Sequence, residues 1–154
     1  MAKEKGLKYH KFLKNFLLFF IAVYNSILAA LYFSGIMYSW TGDPSINAEL
    51  VYGTLGNGAK TLDVVYACLL GIGTVIALVA RFRLAKGFKD GVHTACGLIV
   101  YLGVIPFVYS IWGHTLNSSA NIINLRDVAY LLLYIAVAIL TLKYYKKREE
   151  LFKN

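Results

Sequence analysis

The chain has 154 residues, of which 58% are hydrophobic and only 16% charged, with a mean hydropathy of +0.59 and a formal net charge of +8. Soluble domains carry about 25% charged residues, so this chain lacks the polar surface to cover a water-soluble fold, and no segment is long enough for a separate soluble domain. The positive balance would suggest nucleic acid in a soluble protein, but the basic residues flank long apolar runs, which points to lipid instead.

Lys3, Lys5, Lys8, Lys11 and Lys14 precede the first apolar run. Arg81, Arg83, Lys86 and Lys89 separate the second run from the third, and Lys143, Lys146, Lys147, Arg148 and Lys153 follow the fourth. These are 14 of the 16 Lys and Arg residues; only Lys60 and Arg126 fall elsewhere. Cytoplasmic loops keep Lys and Arg and outer loops lose them. The expected topology therefore has both termini and the island 81–89 in the cytosol, across the cell membrane. Anionic headgroups on that face are the expected lipid partner, at about 1 kcal/mol per basic residue. The expected fold is all-α: a polytopic membrane protein forming one membrane domain over residues 1–154, a four-transmembrane-helix bundle with spans near 16–38, 62–80, 94–112 and 126–145.

The arm before the first span alternates Lys with Leu7, Tyr9, Phe12 and Leu13, and reads as a solvated positive flank rather than an interfacial helix. In span one, Ala22, Ser26, Ala30 and Ser34 recur every four residues, a strip of small side chains of the kind that lets helix backbones approach in lipid. Asn25 and Ser26 lie at mid-span, where polar groups face protein or water. They are candidates to line a solute path, although a hydrogen bond across a helix pair is the plainer role.

The connection 39–61 is the longest, with Trp40 and Tyr52 placed for an aromatic belt. Span two opens on Asp63, suited to the positive end of the helix dipole or to an ion at the outer mouth. Gly71 and Gly73 supply close-packing positions. Span three carries Pro106, expected to kink it. Asn117-Ser118-Ser119 in the second outer loop matches the short glycosylation pattern.

Asn124 and Asp127 resemble a capping pair at the start of span four. There Asp127, Tyr130, Tyr134 and Thr141 share one helical face, either a packed tyrosine seam or a polar lining. Asp63-x-x-Tyr66 and Asp127-x-x-Tyr130 open the second and fourth spans alike. Two parallel helical-hairpin repeats would produce that match.

Catalytic and cofactor signatures are absent. The two cysteines, Cys68 and Cys96, sit at different depths, and His10, His93 and His114 all lie outside the spans, leaving no haem pair and no metal cluster. No nucleophile, base and acid converge, so an enzyme is not expected. Two classes remain. One is an oligomeric channel or carrier for a small solute or cation, lined by Asn25, Ser26, Tyr130 and Tyr134 with Asp63 and Asp127 at its mouth. The other is a non-catalytic membrane subunit or scaffold that binds a partner protein or lipid through the first outer loop, 39–61, and the small-residue faces with Ala22, Ala30, Ser34, Gly71 and Gly73. The expectation leans to the first.

Overall fold

The computed structural model describes residues 7–34, 57–116 and 122–152. The loop 39–61 up to residue 56, with Trp40 and Tyr52, lies outside these residues, as does the segment 117–121 with its glycosylation pattern. Four helices are long and apolar enough to cross a membrane: α1 (Lys8–Phe33), α2 (Asn57–Ala85), α3 (Lys89–Leu116) and α4 (Leu125–Lys146). The protein is an all-α four-helix bundle and a small integral membrane protein. Extensive packing runs between sequence neighbours, α1 on α2, α2 on α3 and α3 on α4.

At 29 and 28 residues, α2 and α3 are longer than the roughly 20 residues that cross the hydrocarbon. The basic island is therefore mostly helix, and the surplus turns carry the charges out of the apolar zone. Only the step around Lys86–Phe88 is a turn, where Gly87 takes φ 78°. Gly91 closes it: a Cβ there would lie 2.7 Å from the Leu84 backbone nitrogen.

The arm before the first span is not a solvated flank. It is helical from Lys8, and its His10 and Leu13 are buried. A π-helical turn over Leu13–Leu17 explains how the arm and the span face the bundle together. Leu13 and Leu18 are both fully buried. Five residues apart, they would point about 140° away from each other in an α-helix, but the wider π turn brings them to one side. Ala22, Asn25 and Tyr32 then continue the buried face at α-helical spacing.

Two buried clusters hold the bundle. Leu13, Leu18, Ala77, Ala80, Leu84 and Ala95 belong to one at the basic end. Tyr32, Leu62, Tyr66, Leu70, Ile105 and Tyr109 belong to the other at the opposite end. At the basic end the first and last helices meet: Tyr9 Oη lies 2.7 Å from Thr141 Oγ1, and His10 Nδ1 lies 2.9 Å from Tyr145 Oη. Phe152 stacks edge-on against both His10 and Tyr145.

The small-residue strip of span one does not form one packing face. Ala22 is buried against α2, where its carbonyl accepts from Thr74, but Ala30 and Ser34 are exposed. Each four-residue step overshoots a full turn by about 40°, so the strip winds from the α1–α2 seam to the outside. Gly71 likewise has nothing within 4 Å of where a Cβ would stand. Gly73 is the packed member of that pair.

Candidate functional site

Between the two clusters, α1 and α4 part, leaving a groove of about 620 Å³. Small-molecule sites run to about 300–1,000 Å³. Leu28, Leu70, Leu102 and Ile105 give it an apolar floor, and Tyr24, Tyr66, Tyr130 and Tyr134 line it with rings. Phe20, Tyr24, Tyr130 and Leu133 remain more than half exposed and form its lips.

Asn25 is the polar residue of this lining that carries no ring. The phase set by the π turn directs it inward, and it is only 3% exposed. Its amide nitrogen is buried and has no hydrogen-bond partner among the described residues. Leaving a buried polar group unpaired costs about 1–3 kcal/mol, and most such groups in folded proteins find a partner. The opposing side is closed by α2, where Gly73 leaves room for the amide: a Cβ at that position would lie 2.9 Å from Asn25 Nδ2. On α3, Gly103 does the same for Tyr134, whose Cβ would be 2.8 Å from an added methyl group. These two glycines draw α1 onto α2 and α4 onto α3, and the groove lies between the pairs.

The groove is stopped at both ends. At the end away from the basic residues, the rings of Tyr32, Tyr66 and Tyr109 pack together with centroids 4.3 to 5.7 Å apart. Tyr109 Oη donates to Asp63 Oδ1 beneath them, and Asp63 is 1% exposed. At the basic end the His10–Tyr145 and Tyr9–Thr141 contacts close α1 against α4.

Asn25, Tyr130 and Tyr134 therefore share the groove. Ser26 does not: its hydroxyl donates to the Ala22 carbonyl at 2.8 Å and lies 3.3 Å from Thr74 Oγ1, in the seam with α2. Asp63 and Asp127 do not stand at an open mouth. Asp63 is buried under Tyr109, and Asp127 accepts from Ser110 Oγ at 2.6 Å. Asn124 caps α4 alone, accepting from the Arg126 backbone N–H at 3.0 Å.

Sequence reasoning overlooked Tyr24 and Tyr66 in the lining, although Tyr24 adjoins Asn25 and Tyr66 belongs to the first Asp-x-x-Tyr turn. Cys68 is exposed and Cys96 buried, and both are free thiols.

Fold and site together define a small polytopic membrane protein with a closed-ended, aromatic-lined groove at mid-helix depth. No family model matches the chain, and neither the curated proteins nor the solved structures contain a match.

Proposed function

We propose that the protein is a carrier for an uncharged small molecule with an apolar or aromatic body and a hydrogen-bond acceptor, held in the groove between α1 and α4. The unpartnered Asn25 amide carries this reading. Asn25 lines a cavity of ligand size with its amide nitrogen turned to Gly73; rotation of the side chain toward an entering acceptor would satisfy that donor, in an interaction that is strong where water is scarce. The ring lining suits an aromatic or aliphatic body. A pore for cations draws less support, because both carboxylates already accept hydrogen bonds and the groove ends blind in a single copy. We place the basic end in the cytosol, on the preference of Lys and Arg for that side.

The test is flux in proteoliposomes, with tritiated N-acetyl-tryptophanamide as an uncharged aromatic solute bearing amide carbonyls. The expected result is uptake faster than in protein-free vesicles, reduced about tenfold or more by Asn25→Leu, the loss of one well-placed hydrogen bond in a buried site. Ser26→Ala should leave it unchanged. Uptake at the protein-free rate, with no binding of the solute, would contradict the reading.

A second reading rests on a different observation. Phe12, Phe16, Phe20 and Tyr24 stack along α1 with centroids 5.5 to 6.0 Å apart and face outward. A non-catalytic subunit would use such a ladder against another membrane helix. A defined oligomer or hetero-complex in nanodisc mass measurements, dispersed by Phe16→Ala with Phe20→Ala, would favour that role.

A further inference from the structure

The start of α3 and the end of α4 lie side by side at the basic end, and a second cavity of about 420 Å³ opens between them. Its floor is apolar, with Val92, Ile139 and Leu142. Its rim carries three lysines, Lys89, Lys143 and Lys146, and the His93 ring. Lys89 and His93 stand one turn apart on α3, and Lys143 and Lys146 stand one turn apart on α4. The short 3₁₀ turn Glu149–Leu151 folds back over this opening, where Glu149 Oε1 lies 3.0 Å from Lys89 Nζ. The cavity shares Lys89, Lys146, Glu149 and Phe152 with a more open hollow of about 700 Å³ edged by Lys147, Glu150 and Arg148, the last of which donates to the Tyr144 carbonyl at 3.0 Å.

Greasy below and positive above is the chemistry of an anionic amphiphile. The depth agrees: the rim lies on the last turns of helices whose apolar stretches would fill the hydrocarbon, so it stands at headgroup level. We propose that this cavity is a specific site for the phosphate headgroup of an anionic phospholipid, with the top of an acyl chain against Ile139 and Leu142. Glu149 occupies the phosphate's place on Lys89 and gives way when the lipid binds.

The experiment is native mass spectrometry of the full chain released from nanodiscs of phosphatidylcholine with a minority of phosphatidylglycerol. The expected result is a retained phosphatidylglycerol adduct. It should fall about thirtyfold in the double variant Lys143→Gln, Lys146→Gln, from about one and a half decades of affinity for two headgroup contacts. The control removes the same charge elsewhere at the same end. Arg81 lies over the Phe19 ring and Lys86 over the Phe82 ring, outside the cavity lining, so Arg81→Gln with Lys86→Gln should retain the adduct. Glu149→Gln should increase retention, because it frees Lys89.

Equal loss in both double variants would reduce the effect to diffuse attraction and overturn the site. Displacement of the adduct by glycerol 3-phosphate added alone would show that the headgroup chemistry suffices without the lipid, and would overturn the lipid assignment. None of these readouts involves the α1–α4 groove.

Discussion

Gly73 of α2 stands directly against Asn25 of α1, so close that a Cβ at 73 would lie 2.9 Å from the amide nitrogen and 3.4 Å from Tyr101 Cε1. This contact fixes where the one buried, unpartnered side-chain atom among the described residues can go. It also separates two glycines that look equivalent in sequence.

Gly73→Ala should lose the gain in helix propensity and cost about 1 kcal/mol, the low end for overpacking, because the contacted Asn25 amide is the end of a side chain that can shift. Gly71→Ala meets nothing within 4 Å and should stabilise by roughly 0.5–1 kcal/mol through helix propensity. Unfolding in detergent, followed by circular dichroism, measures both. Equal effects would show that no close contact exists at 73.

Tyr109→Phe removes a donor from a carboxylate that is 1% exposed. The expected loss is about 1–3 kcal/mol, since a buried acceptor loses a partner without regaining water. The double variant Tyr109→Phe, Asp63→Asn should cost less than the sum of the two single changes, because the two side chains share one hydrogen bond. An additive result for the two substitutions in the same unfolding assay would mean that Asp63 and Tyr109 are not coupled.

The contacts that join the first and last helices make another test. A double-mutant cycle on His10→Ala and Tyr145→Phe should show a coupling of about 0.5–3 kcal/mol, as expected for directly bonded side chains. Hydrogen exchange over Lys8–Phe12 should also rise in Tyr145→Phe, while exchange in α2 stays unchanged. A coupling near zero with no change in exchange would mean that the arm is not held by α4.

Topology is checked with a cysteine at Asp90, an exposed position in the first turn of α3, after Cys68→Ala and Cys96→Ala. A membrane-impermeant maleimide should label Asp90→Cys in inside-out vesicles and fail in intact cells. The reverse pattern would put the basic end outside.

The four helices were legible because apolar runs of spanning length are bounded by charge. The burial of Asn25 agrees with its depth and the partial burial of Tyr134 with its helical phase, whereas Tyr130, expected on the same inward face, is 55% exposed at the lip of the groove. Other features were hidden for particular physical reasons. The π turn at Leu13–Leu17 has no composition of its own and shows only as an odd five-residue spacing between Leu13 and Leu18. Ser26 differs from Asn25 by about 100° of helix rotation, enough to take it from the groove into the seam with Thr74. Asp63 reads as a dipole-stabilised first-turn residue, but α2 starts six residues earlier at Asn57, so Asp63 lies in its second turn, beneath Tyr109. Ala30 and Ser34 continue a pattern whose slow winding only the three-dimensional path reveals.

The claim at the centre of this account is that the groove receives an aromatic ligand at Asn25. Photolabelling with benzophenone, itself two apolar rings joined by one carbonyl acceptor, tests it most directly in nanodiscs. After irradiation and peptide mapping, adducts should concentrate on groove residues such as Tyr24, Leu102 and Tyr134, and should fall sharply in Asn25→Leu. Adducts spread over the outward residues Phe16, Val75 and Leu140, indifferent to that substitution, would contradict it.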